Sequence, residues 1–206
     1  MKVAKKIILL ICLLTVFIII SAMSYTSTVA STISSSVFRL HVIANSNSAE
    51  DQNLKYIVRD NLIQYMNTLT QNITSKDEAI KIAKQHTEDF RNIALKTIRD
   101  NGYDYDVNVE IGNSYFPTKN YGDISLPAGY YDALKVEIGE SAGQNWWCVM
   151  FPPLCFVDVS TGIVPEESKQ NIKDALPEEE YALVSNRTSN TCLNIKFKLL
   201  EFFSKN

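Results

Sequence analysis

The segment Gln144–Phe156, with the sequence QNWWCVMFPPLCF, contains both tryptophans of the chain, Trp146 and Trp147. The segment is apolar at both alternating positions, which is typical of a strand that is covered on both faces. A buried tryptophan also carries one N–H that needs a partner. The segment therefore predicts a central core strand that ends in a turn at Pro152-Pro153. The alternative is that one face of the strand stays open and binds another protein.

The composition predicts a folded, acidic protein. Hydrophobic residues make up 46% of the 206 positions, which is enough for a packed core. The formal net charge is −3 at pH 7. Because proteins bind nucleic-acid phosphates through a basic face, no nucleic acid is expected as a partner.

The N-terminus has the pattern of an export signal. Lysines at positions 2, 5 and 6 precede an apolar run over residues 7–20, and Ala22-Met23-Ser24 resembles a cleavage site. The run is near the lower length limit for a bilayer-spanning helix. Residues 1–24 are therefore predicted to be either a signal peptide or an uncleaved signal anchor. In both cases the lysines stay inside and the rest of the chain is exported.

The exported part begins with a polar segment. Residues 25–36 are rich in serine and threonine and predict a flexible spacer. An exported α+β domain is predicted to follow over residues 37–206. Its first strand is predicted at residues 37–44, which are apolar and rich in β-branched side chains.

Two amphipathic helices are predicted after this strand. Ser48 and Asp51 form a helix start signal, and apolar residues then recur at helical spacing, which predicts a helix over residues 49–69. Ser75 begins a second start signal of the same kind. The second helix is predicted to end at Asn101-Gly102.

The following segments alternate with a period of two residues. Residues 105–111 and 134–138 alternate apolar and polar positions, as half-buried strands do. The connection at 112–129 is long for a hairpin, which favours a partly structured or functional loop. Together with the segment at 144–156, these strands predict an antiparallel sheet. The predicted fold class is therefore α+β: an antiparallel sheet covered on one face by two long amphipathic helices, with a C-terminal helical tail.

One motif suggests catalysis. Gly139-Glu140-Ser141-Ala142-Gly143 matches the G-x-S-x-G pattern of a serine nucleophile, which needs a helix directly afterwards and a histidine later in the chain. A strand pattern follows instead, and both histidines, His41 and His86, come earlier. We therefore interpret the motif as a glycine-rich strand connection and predict no catalytic residues.

No cofactor is expected. The sequence has neither the closely spaced cysteine or histidine pairs of a zinc site nor the glycine-rich loops that bind nucleotides. No metal and no small-molecule substrate are therefore predicted.

The cysteines suggest a disulfide. Outside the cytoplasm thiols can oxidise, and Pro152-Pro153 would bring Cys148 and Cys155 to bonding distance. This predicts a Cys148–Cys155 bridge, with Cys192 left unpaired or competing for either partner. Buried free thiols are the alternative.

Three groups of residues carry a family resemblance. The first group is Arg39–Ser46 (RLHVIANS) with Asp51-Gln52, Lys55 and Val58-Arg59-Asp60; the second is Gly112-Asn113, Phe116–Lys119, Tyr121-Gly122 and Leu126–Gly129; the third is Gly143–Phe156. Together they resemble the stage II sporulation protein R family. The resemblance covers roughly residues 37–160. Asn47 departs from it, since an aspartate is expected there.

The resemblance implies an exported signalling protein of endospore-forming bacteria. It would pass from the forespore into the space between the two sporulation membranes. There it would activate a membrane-embedded aspartic protease of the mother cell, which cleaves the precursor of a sigma factor. An exported enzyme that acts on cell-wall material is the alternative.

Aromatic side chains are the predicted contacts with that protease. Such residues are the usual energetic centres of protein interfaces. The predicted contact residues are Tyr115, Phe116 and Tyr121 of the long connection, with Trp146 and Trp147 of the opening segment.

Overall fold

The computed structural model describes residues 2–153 and 166–185. These residues form a mixed α+β fold. The helices are α1 (Lys2–Ser36), α2 (Ala49–Leu69), α3 (Lys76–Gln85), α4 (Thr87–Asp100), α5 (Glu166–Ala175) and α6 (Glu178–Val184). The strands are β1 (Phe38–Ile43), β2 (Val107–Phe116), β3 (Lys119–Tyr121), β4 (Ile124–Leu126), β5 (Gly129–Ile138) and β6 (Asn145–Phe151).

Helix α1 is continuous from the apolar N-terminus to the folded domain. Residues 25–36, predicted to be a flexible spacer, are helical instead. The reason is that Val29 and Ile33 lie four residues apart on one helix face and are buried in the domain core, with Ile33 fully buried. Lys76 also donates a hydrogen bond to the Ser34 carbonyl oxygen over 3.2 Å. The end of α1 is therefore part of the fold.

The sheet is mixed rather than antiparallel. Its described strands have the order β2-β5-β1-β6, in which β1 runs parallel to β5 and antiparallel to β6. Strand β2 is antiparallel to β5. The parallel pair arises because α2, α3, α4 and β2 lie between β1 and β5 in the chain, long enough for a crossover connection. Strand β6 is the last strand in this order, so the prediction of a central position is wrong for the described sheet.

The predicted helix starts and ends are confirmed only in part. Helix α2 has the predicted bounds, and Ser48 accepts a hydrogen bond from the Asp51 backbone N–H over 3.1 Å. The second predicted helix is two helices, α3 and α4, separated at His86. Ser75 makes no capping hydrogen bond with its side chain.

The two faces of the sheet differ in chemistry. On the first face, Leu40 pairs with Leu134 and Val42 with Val136, and all four side chains are fully buried. Helices α2, α3 and α4 contact the sheet and form its helical layer. On the second face the same register pairs His41 with Lys135. We call this second side, which also carries Arg39 and Trp147, the polar face.

The long connection at 112–129 is mostly ordered as strand. Strand β2 extends to Phe116, and β3 and β4 form a small hairpin before β5 begins at Gly129. Gly122, at the hairpin turn, has a φ of 57°, a conformation that glycine adopts at little cost. The connection is therefore partly structured, as its length indicated.

Helices α5 and α6 belong to the predicted C-terminal helical tail. The part of that tail beyond residue 185 lies outside the described residues.

Candidate partner-binding site

Two of the predicted contact residues are buried. Phe116 is fully buried, and Tyr121 is 9% exposed. Tyr115 is half-buried and its ring meets that of Tyr130 edge-on, with centroids 5.5 Å apart. In this structure Phe116 and Tyr121 therefore present little ring surface to a partner, and their assignment as contact residues stays a prediction.

The buried rings surround Arg39, whose side chain is fully buried. Its guanidinium carbon lies 4.0 Å from the centre of the Phe116 ring and 4.7 Å from that of Tyr131. Its Nη2 donates a hydrogen bond to the Tyr121 hydroxyl over 2.6 Å. Burial raises the pKa of Tyr121, although the nearby Arg39 charge opposes this. The aromatic residues thus hold a buried cation through cation–π contacts and one charge-assisted hydrogen bond.

Trp147 lies beside this cluster on the polar face. Its ring stacks on His41, with centroids 5.6 Å apart and 19° between the planes. The Nζ atom of Lys119 lies 4.2 Å from the centre of the same ring. Trp147 is half-buried, so part of its ring and of Lys119 is exposed to solvent.

His41 is a buried member of the polar face. Its Nε2 is 2.6 Å from the Asn145 side-chain oxygen, and it is 9% exposed. Burial lowers the pKa of His41, which favours the neutral imidazole at pH 7. His41 therefore supports the stacked Trp147 ring as a buried strand residue with one ring nitrogen hydrogen-bonded.

Trp146 lies on the opposite side of β6, towards α2. The Arg59 guanidinium carbon is 4.3 Å from its ring centre, and the Tyr56 ring meets it edge-on with centroids 5.4 Å apart. Tyr56 is 36% exposed and Trp146 is half-buried. Each tryptophan of the pair is thus covered on one side by a cation, and each retains exposed surface.

The G-x-S-x-G segment has a structural explanation. A Cβ atom on Gly143 would lie 2.2 Å from the Ser46 carbonyl oxygen, and one on Gly139 would lie 2.3 Å from the Asn45 side-chain oxygen. The Gly143 N–H also bonds the Ala44 carbonyl oxygen over 3.0 Å. The two glycines therefore allow the β5–β6 connection to pack against the turn after β1. Ser141, between them, has a φ of 53°, which is uncommon for a residue with a side chain.

A buried polar cluster beneath this connection was not predicted. Lys55 is 1% exposed, and its Nζ donates hydrogen bonds to the Gln144 carbonyl oxygen over 3.0 Å and to the Gln52 side chain over 2.5 Å. Burial, with a smaller effect of Arg59, lowers the pKa of Lys55 to about 8. Asp51, also buried, accepts a hydrogen bond from the Ser46 hydroxyl over 2.6 Å. The signal was present, because positions 51 and 55 fall on the same helical stripe as the buried Val58.

Two further predictions concern metals and disulfides. Within residues 2–153 and 166–185, no group of three or more His, Cys, Asp or Glu side chains is placed to hold a metal ion. Cys155 and Cys192 lie outside the described residues, so the bridge from Cys148 stays a prediction.

His86 ends α3, and its Nδ1 lies 2.6 Å from an Asp89 carboxylate oxygen.

Sequence comparison adds the family of this domain. The family model for stage II sporulation protein R matches residues 34–161, which include the whole described sheet. The chain belongs to this family. Stage II sporulation protein R of Bacillus subtilis (strain 168) is 34% identical over 177 residues, which cover 81% of this chain and 79% of that protein. No solved structure matches the chain. Membership in the stage II sporulation protein R family gives the chain a role in sporulation.

Proposed function

We propose that this protein is an exported signal of sporulation that activates a membrane-embedded aspartic protease of the mother cell, which then processes a sigma-factor precursor. Membership in the stage II sporulation protein R family is the observation that carries the proposal. The apolar N-terminal helix supports it. Helix α1 contains a stretch, Lys5–Ser36, that is long and apolar enough to cross a membrane, as a signal sequence or an anchor would be.

The contact surface is proposed to centre on Trp146 and Trp147. Of the five aromatic residues predicted from the sequence, these two combine partial exposure with a position on β6, the edge strand of the described sheet, with one ring on each side of it. Tryptophan is enriched among residues that dominate binding energy. Activation then requires that the protein bind the active state of the protease more tightly than the inactive state.

The test is processing of the sigma-factor precursor in sporulating cells that lack their own copy of this protein. The full chain should restore processing. A control variant with Ile11→Arg and Leu14→Arg should fail, because two charges in the middle of the apolar helix block membrane insertion. Processing without the chain, or with the variant that is not exported, would disprove the proposed role.

Alanine substitutions test the contact surface separately. Trp146→Ala and Trp147→Ala should each reduce processing at least tenfold while the protein stays folded and exported. Tyr130→Ala is the matched control, because Tyr130 is an aromatic residue that is 60% exposed elsewhere on the sheet. Equal processing by all three variants would rule out the tryptophan pair as the contact.

The alternative function is an exported enzyme that acts on cell-wall material. Ser141 favours it, because this serine has a positive φ within a G-x-S-x-G segment. Ser141→Gly removes the hydroxyl and suits the backbone conformation, so it tests chemistry without strain. A binding protein keeps full activity in this variant, whereas an enzyme that uses Ser141 loses it.

A further inference from the structure

The polar face carries two cations, Arg39 and Lys119, that have no carboxylate partner in the described part of the chain. Among the described residues, neither Arg39 nor Lys119 has a carboxylate oxygen within ion-pair distance. Lys135, the third cation of this face, differs, because it pairs with Glu137 at 2.7 Å and with Glu110 at 3.7 Å. The positive charge at the Arg39 end of the face is therefore not balanced within the described chain.

The unbalanced charges are partly removed from water. Arg39 is fully buried, and its Nη1 atom has no hydrogen-bond partner within residues 2–153 and 166–185. Burial lowers the pKa of Lys119, and the charge of Arg39 lowers it further. A buried charge without an opposite charge is costly, and an acidic group nearby would offset that cost.

The exposed part of this region is a compact surface. The Lys119 ammonium lies over the half-buried Trp147 ring, which stacks on His41. Beneath this surface, the Trp147 Nε1 and His41 Nδ1 atoms are buried, and neither has a hydrogen-bond partner among the described residues. We call Lys119, Trp147 and His41, with Arg39 beneath them, the Lys119–Trp147 surface.

We propose that the Lys119–Trp147 surface binds an acidic segment of the partner protein, with its carboxylates at Lys119 and its aliphatic stems on the Trp147 ring. This inference rests on the proposed function for the identity of the partner, but its chemistry follows from charge complementarity alone. The proposal applies to Trp147 and not to Trp146. The cation over Trp146 is Arg59, which already pairs with Asp60 at 2.7 Å and therefore needs no acidic partner.

Direct binding tests the chemistry. The probe is a synthetic peptide of alternating glutamate and glycine. It is titrated into the full chain in mild detergent. The chain carries the Trp146→Phe substitution, so that the tryptophan fluorescence comes from Trp147. We expect saturable binding that weakens at least fivefold between 50 mM and 500 mM salt, since partly exposed charges are screened. Lys119→Glu should abolish binding, whereas Lys119→Arg should retain it. Lys81→Glu, the same charge change at an exposed position of α3, should bind like the parent.

Sigma-factor processing then tests the surface in cells. Lys119→Glu should reduce processing at least tenfold, and Lys81→Glu should not. Normal peptide binding by Lys119→Glu, or normal processing in a strain that depends on this variant, would overturn the inference and leave the proposed function intact. If the unmodified chain fails to restore processing, the proposed function fails. In that case the peptide titration alone decides whether the Lys119–Trp147 surface binds an acidic segment.

Discussion

The Tyr121 hydroxyl accepts a hydrogen bond from Nη2 of the fully buried Arg39 over 2.6 Å, and donates one to the Trp147 carbonyl oxygen over 3.1 Å. One phenol therefore joins the β3–β4 hairpin to both β1 and β6. An aromatic residue assigned to partner binding from its sequence context thus has a structural role.

This role predicts the effect of Tyr121→Phe. The variant leaves one more guanidinium hydrogen-bonding group without a partner, which should lower the free energy of unfolding by about 2 kcal/mol. Urea unfolding of the full chain in mild detergent, followed by tryptophan emission, measures the change. Tyr130→Phe removes a hydroxyl from an exposed ring and should change stability little. Equal stability of both variants would show that the Arg39 contact contributes nothing.

The close approach at Gly143 predicts that alanine is not tolerated there. Its Cβ would overlap the Ser46 carbonyl oxygen, which is backbone and cannot move aside alone. Gly143→Ala should lower the free energy of unfolding by about 3 kcal/mol. Gly112→Ala is the matched control, since no atom of the described residues lies within 4 Å of a Cβ at that position. If the two variants unfold at the same urea concentration, the explanation given for the G-x-S-x-G segment is wrong.

Lys55 predicts a specific pH dependence. Its pKa is about 8 in the folded protein and 10.5 in the unfolded chain, so the unfolded state binds more protons between these values. The destabilising effect of the buried charge is therefore fully present below pH 8 and disappears as the pH rises to 10.5. The unfolding free energies of the parent and of Lys55→Met are measured from pH 7 to 10.5. As the pH rises, the free energy of unfolding of the parent should increase relative to that of Lys55→Met. A constant difference would place the Lys55 amine in a water-like environment.

The packing of α1 predicts that residues 25–36 stabilise the domain. Ile33→Ala should lower the free energy of unfolding by about 3 kcal/mol, because the fully buried side chain leaves a cavity. Ser31→Ala, at an exposed position two residues earlier, should change it by less than about 0.5 kcal/mol. A flexible spacer would make both substitutions neutral, and thermal unfolding of the two variants distinguishes these outcomes.

Local patterns predicted the elements that depend on local signals. Helix α2 has the predicted bounds because Ser48 caps its first turn and its buried positions recur at helical spacing. The break at His86 could not be predicted in this way, since the segment has no proline or glycine there and the apolar stripe continues from α3 into α4.

Features that depend on contacts distant in sequence were missed. The parallel pairing of β1 with β5 joins residues more than 90 positions apart, such as Arg39 and Ala133, and no local pattern specifies it. The same holds for the candidate site. A short alternation marks Arg39 as a polar strand position but does not show that rings from β2, β3 and β5 enclose it. The sequence alone therefore predicts Tyr121 as a contact residue and not as the partner of a buried arginine.

Only Val37 separates the end of α1 at Ser36 from the start of β1 at Phe38. Because Ile33 is fully buried in the core and the connection is one residue long, α1 has little freedom to change its orientation relative to the sheet. We therefore expect any tilt of the helix axis to move β1 as well, and with it the paired strand β6 that carries Trp147.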